Sequence, residues 1–171
     1  MRQGGDRMPT RISRAIKTIA TFWGRRSEES GAATGSWLGR GGGKTHRKGW
    51  RAEEFAVSHL VGRGYHILER NLVGGGGETD IVAEHRRRLV FVEVRSRREG
   101  GDMRPSSTVT EKKQRQVIAC GEAYIKSRGL DREEVKPRYD IAEVYLDRDG
   151  RPRTVTVIEG GITQRDGRDR R

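Results

Sequence analysis

The chain of 171 residues carries 36 Lys+Arg against 24 Asp+Glu, a formal net charge of +12, and only 32% of it is hydrophobic. That length fits one domain with residues to spare for tails, and no stretch approaches the ~20 apolar residues of a membrane-spanning helix. A single cysteine, Cys120, excludes an internal disulfide framework and a cysteine-based zinc cluster, and suits a reducing cytoplasm.

The first 48 residues hold 11 Lys+Arg against 3 Asp+Glu, the last eight (164–171) hold 4 against 2, and residues 49–163 hold 21 against 19. Most of the basic excess therefore lies outside 49–163, which reads as the folded domain, and the ends read as largely disordered basic arms. Within the head, Ile12, Ile16, Ile19 and Trp23 recur at helical spacing among Arg11, Arg14 and Lys17. This predicts a short basic amphipathic helix over 9–26, able to lie on an anionic surface or a partner. Its apolar positions never run together into the core of a secretion signal. Residues 27–48, with the run GRGGGK, read as a flexible linker.

From Gly49 onward the pattern is that of alternating elements. Trp50–Val61 reads as a helix with Phe55, Ala56, His59 and Leu60 on its apolar stripe, ended by Gly62 and Gly64. Tyr65–Leu72 alternates as a strand and stops at Gly74–Gly77, a permissive turn by preference over a phosphate cradle. Glu78–Ala83 and Leu89–Arg95 read as two strands joined across Glu84–Arg88. Ser96–Thr108 is a polar loop, and Val109–Lys126 the longest helical pattern, with Val117, Cys120, Tyr124 and Ile125 inward. Tyr139–Leu146 and Thr154–Ile158 form a last strand pair turned at Asp147–Gly150. The order α-β-β-β-α-β-β predicts an α/β protein with a mixed sheet flanked by helices.

Two carboxylates are out of place in this pattern. Alternation puts Val90, Val92 and Val94 on one face of LVFVEVR and Phe91, Glu93 and Arg95 on the other. Glu93 then sits where an apolar side chain is expected, and burying a lone carboxylate is costly. In the preceding strand Asp80 shares a face with Glu78 and Val82. With a tight loop at Arg86–Arg87, facing residues have numbers that sum to 173. Ile81 then meets Val92, Val82 meets Phe91, Ala83 meets Val90, and Asp80 stands opposite Glu93 with Cβ atoms ~4.5–5.5 Å apart. Lengthening the loop by two residues keeps the shared face but offsets the pair. Two carboxylates so close share a proton or a cation, and an all-oxygen site suits Mg²⁺ or Mn²⁺. The competing explanation is structural: the same register sets Glu78 against Arg95, and an ion-pair ladder would neutralise the strand ends without a metal.

These residues carry a family resemblance. GETDIVAEHRRRLVFVEVRSR, together with GWRAEEFAVSHLVGRGYHILERN, VTEKKQRQVIACGEAYI and RYDIAEVYL in this order, resembles the YraN family over about 49–160. These bacterial proteins are similar to archaeal Holliday junction resolvases and to the PD-(D/E)xK nucleases. The resemblance implies a restriction-endonuclease-like fold and a metal cluster of Glu53, Asp80 and Glu93. It also implies catalytic roles for Arg95 and Lys113, and contact with nucleic acid by Arg95, Lys113 and Gln114. Arg95 stands where the superfamily has Lys; Arg stays charged, so it can clamp an anion but not act as a base. Asp140, matched to the family's Arg-aromatic-Asp block, reads as a structural hydrogen-bonding residue.

The expectation is a Mg²⁺- or Mn²⁺-dependent endonuclease acting on structured or branched DNA, with a homodimer by analogy to the resolvases. One alternative is a nuclease fold that binds nucleic acid without cleaving it. Another is an interaction or surface-anchoring factor that works through the N-terminal helix. The four histidines (46, 59, 66 and 85) share no metal-ligand spacing. His59 and Cys120 read as packing residues.

Overall fold

The computed structural model describes residues 44–98, 100 and 109–163. The helix expected over 9–26, most of the linker and the C-terminal tail lie outside them. Helix α1 (Lys44–Gly62) is followed by strands β1 (His66–Gly74), β2 (Gly77–His85) and β3 (Arg88–Arg98). Helices α2 (Glu111–Ser127) and α3 (Arg132–Val135) lead into β4 (Arg138–Leu146) and β5 (Pro152–Ile158). The five strands form one sheet in the order β1-β2-β3-β4-β5, with β3 and β4 parallel and every other neighbouring pair antiparallel. This is the restriction-endonuclease-like α/β arrangement expected, and no helix among the described residues is long and apolar enough to cross a membrane.

Each sheet face is covered by one helix layer, as a partly parallel sheet requires. On one face Ala52, Ala56 and Leu60 of α1 pack with Ile81, Ala83, Val90, Val92, Ala142 and Val144. On the other, Val117, Tyr124 and Ile125 of α2 pack with Val82, Leu89, Phe91, Tyr139 and Ile141. The buried stripe of α1 is thus 52/56/60, and Phe55, expected inward, is exposed because it points away from that line. Helix α1 also begins at Lys44, inside the expected linker. Residues 44–48 contain no proline and are mostly good helix formers, and the packed turns behind them supply the nucleus. Helix α3, four residues capped by the Asp131 side chain and ended at left-handed Lys136, is too short to leave a periodic trace.

The turns fix the registers. Gly74 pairs with Gly77 around Gly75 and Gly76 (φ 59° and 77°), and His85 pairs with Arg88 around Arg86 and Arg87 (φ 50° and 63°). Both are two-residue turns with positive φ at the two central positions, the geometry that matches strand twist. The second gives the register from His85↔Arg88 to Ile81↔Val92, so the tight-loop alternative is the one realised. The first brings the glycine turn against α2 rather than opening it to a ligand. A Cβ on Gly75 would lie 2.5 Å from the Ala119 carbonyl oxygen.

Asp140 lies at the other end of the sheet in a buried network. Arg138 forms a two-pronged bond to its carboxylate, Nε to Oδ1 and Nη2 to Oδ2, both 2.8 Å. The Gly160 N–H adds a third bond, to Oδ1. Arg138 Nη2 also meets the Tyr65 hydroxyl and His85 Nδ1, and the Tyr65 and His85 rings stack at 3.8 Å. A guanidinium beside Nδ1 needs the neutral imidazole. Burial first, then Arg138, holds His85 below its ordinary 6.5, with Arg86 acting the same way and Glu159 and Asp140 opposing. The unfolded chain therefore binds a proton near 6.5 that the folded one refuses, so stability falls as pH drops through and below that value. His59, half-buried on α1, shifts in the same direction. His85→Phe, which keeps the ring on Tyr65, is expected to flatten this acid loss, measured as urea midpoints between pH 7.5 and 5. An unchanged slope would refute the assignment.

Candidate active site in the fork between two strands

The ladder between β2 and β3 runs as far as Ile81↔Val92. Its next step would pair Asp80 with Glu93, but side chains take over there. The Val94 N–H donates to Asp80 Oδ2 at 2.6 Å, and the Thr79 hydroxyl donates to the Val92 carbonyl at 3.3 Å. Meanwhile β2 stays paired to β1 through Glu78 and Gly77, and β3 stays paired to β4 through Arg98. The two strands thus part at Asp80, and the first turn of α2 lies over the opening. Thr110 caps that turn by accepting from the Lys113 N–H, and Lys113 Nζ reaches both Glu78 Oε1 (3.0 Å) and Glu93 Oε1 (3.3 Å).

Glu93 is the centre of this group. Its side chain is 2% exposed; Oε1 forms ion pairs with Arg95 Nη2 at 2.8 Å and with Lys113 Nζ, while the buried Oε2 has no hydrogen-bond partner among the described residues. Burial and then the neighbouring Asp80 push its carboxyl up to about 7, against the pull of Arg95 and Lys113. Asp80 is also raised, by burial first, with the Val94 N–H, Lys113 and Arg95 opposing. Burial draws the Lys113 ammonium down, but its bonds to Glu78 and Glu93 outweigh this and leave it raised. Lys113 is thus held charged.

Asp80, Glu93, Arg95 and Lys113 come together on the α2 face, as the strand alternation requires. The ladder Glu78–Arg95 does not form as drawn from the sequence: Lys113 takes Glu78 and Arg95 takes Glu93. The Gln114 side-chain amide donates to the Val109 carbonyl at 3.0 Å, tying down the start of α2. Glu53 sits half-buried on α1, the layer against the opposite face. Among the described residues no group of three His, Cys, Asp or Glu converges on one point, so Glu53 does not complete a cage with Asp80 and Glu93.

Sequence reasoning missed Glu143 and Arg97. Glu143, 3% exposed, is the β4 neighbour of Arg95 and accepts from the Tyr145 hydroxyl at 3.1 Å. The parity argument that singled out Glu93 applies equally to RYDIAEVYL, where Glu143 shares a face with Tyr139 and Ile141.

The sequence profile of the uncharacterised protein family UPF0102 matches residues 52–144, which contain every residue of this cluster. The chain belongs to UPF0102. This is the YraN family of the resemblance. A UPF0102 protein of Syntrophotalea carbinolica is 41% identical over 92 residues, 54% of this chain and 73% of the relative. Those of Geobacter sulfurreducens and Moorella thermoacetica are each 38% identical, over 108 and 116 residues. The first match covers 62% of this chain and 83% of the relative, the second 68% and 95%. The UPF0102 match thus takes in both helix layers and the fork between β2 and β3, whereas the basic arms lie outside it.

The donor chemistry of the fork fits a hard divalent cation. Two carboxylates meet there, one with a buried oxygen that no described residue satisfies, and Mg²⁺ commonly binds through one or two carboxylates with water and phosphate oxygens completing the shell.

Proposed function

We propose that this chain is a metal-dependent phosphodiester hydrolase acting on nucleic acid, with structured or branched DNA as the substrate class favoured by its resemblance to junction resolvases. The observation that carries the reading is Glu93 Oε2, a buried carboxylate oxygen without a partner among the described residues, beside Asp80 in the fork where the Arg95 and Lys113 side chains supply two positive charges. Asp80 and Glu93 would hold Mg²⁺ or Mn²⁺, which when bound supplies Lewis acidity toward a phosphoryl oxygen.

The chain's own residues do the rest. Arg95 and Lys113, drawn to Glu93 Oε1, stand ready as preorganised positive charge for the oxygens of a transferring phosphoryl group. Neither serves as a base: Arg does not deprotonate, and the carboxylates around Lys113 keep its proton on Nζ. Asp80 orients itself by its bond to the Val94 N–H, which holds one oxygen and leaves the other for a ligand. The basic ends of the sequence add affinity for the phosphate backbone that weakens with salt.

The test is cleavage of branched, flapped and linear DNA in Mg²⁺ or Mn²⁺ by the full chain and by Asp80→Asn. The amide oxygen of Asn still accepts from Val94, so the fork survives while the ligand charge is lost. The expected result is a fall of about 100-fold or more. Equal cleavage by both proteins would identify a contaminant and end the catalytic reading. The fixed charge of both Arg95 and Lys113 favours a second reading, a nuclease fold that binds without cleaving. Salt-sensitive DNA retention that needs no metal and is unchanged in Asp80→Asn would establish it.

A further inference from the structure

Strand β3 continues beyond the fork with a second arginine on the same face. Arg97 lies two residues after Arg95, hence about 6.6 Å further along the strand. Its Nη1 is buried and without a hydrogen-bond partner, and Arg95 Nε is in the same condition. Among the described residues Arg97 has no carboxylate partner either. Its neighbour across the β3–β4 register is Tyr145, whose hydroxyl is given to Glu143. The charge of Arg95 is largely answered by Glu93, but that of Arg97 is not. Burying an N–H of a guanidinium without an acceptor is unfavourable, so these donors are arranged for an acceptor that the described residues do not provide.

We propose that Arg97, with Arg95 Nε, forms an anion subsite for the phosphate next to the one at the carboxylate pair. This rests on the nuclease reading and deepens it. Two anion positions repeating along one strand select a polyanion with a regular repeat, a nucleic-acid strand, over an isolated phosphate or a phosphomonoester. Arg97 is then a binding and register residue, fixing which phosphodiester lies at Asp80 and Glu93.

The experiment measures retention of labelled single-stranded and branched DNA by the full chain in Ca²⁺ across a salt series, with Mn²⁺ calorimetry on the same samples. Arg97→Gln is expected to weaken DNA binding by about tenfold and to reduce the slope of log K against log salt by about one. Its Mn²⁺ binding should match that of the unaltered protein. Arg97→Lys, which keeps the charge but loses the planar fork, should fall between them, and it decides by the same readouts if Arg97→Gln does not fold. Unaltered DNA affinity and slope in these variants would overturn the subsite and leave the nuclease reading standing. Inorganic phosphate competing as well per phosphate as the oligonucleotide would overturn the strand assignment. Mn²⁺ binding by the unaltered protein with no DNA retention at any salt would overturn both.

Discussion

Glu93→Gln is expected to lower metal-dependent cleavage by at least about 10³-fold and, in the same protein at pH 8, to raise the melting temperature by several degrees. The two effects share a cause. The folded protein holds this carboxyl at about 7, above its ordinary 4.5, because burial and Asp80 outweigh the attraction of Arg95 and Lys113. Between those values the folded chain binds a proton that the unfolded chain has released. Above them the ionised carboxylate costs the fold on the order of 3 kcal/mol. Gln is neutral at every pH and similar in shape, so the gain should be absent below about 4.5, grow as pH rises from there and be complete above pH 7. Added Mn²⁺ should stabilise the unaltered protein and leave Glu93→Gln unmoved. A lower melting temperature for the variant at pH 8 would mean that Arg95–Glu93–Lys113 is a net stabilising ion-pair network, and the structural explanation of the buried carboxylates would stand instead. Stability given up at a site that binds a ligand is the usual signature of function.

The second large effect is at Gly77. A Cβ there would lie 2.2 Å from the Gln116 carbonyl oxygen and 2.7 Å from its carbon, so the helix backbone itself must move. Gly77→Ala is expected to cost about 3 kcal/mol, seen as a lower urea midpoint. Because the same displacement carries the first turn of α2 away from the fork, it should also loosen Lys113 from Glu78 and Glu93. Gly74→Ala is the control: a Cβ there meets nothing within 4 Å, and its midpoint should shift by only a fraction as much. Equal effects at the two positions would show that contact with α2 does not set the demand for glycine at position 77.

These two sites mark the division between local and long-range information in this chain. Strand alternation is a local property with a period of two, so LVFVEVR and ETDIVA by themselves put Asp80 and Glu93 on one face, and the two-residue turn at Arg86–Arg87 supplied their register. The inward side chains of α2 and the element order were legible for the same reason, whereas the structural role of Asp140 was read from the family resemblance. The sequence could not reveal that the β2–β3 ladder ends at Ile81↔Val92, that the Asp80 carboxylate takes over the Val94 N–H, or that Lys113 reaches Glu93 rather than solvent. Those depend on α2 folding back over the sheet after a crossover, and on glycines 75 and 77 allowing its backbone to approach. The same docking left Glu53 on the opposite layer and exposed Arg97 as an unanswered charge. Pattern fixes which face a side chain takes because each residue's direction follows from its neighbours in the chain; which groups then meet on that face is a matter of helix placement, decided by packing between residues far apart in sequence.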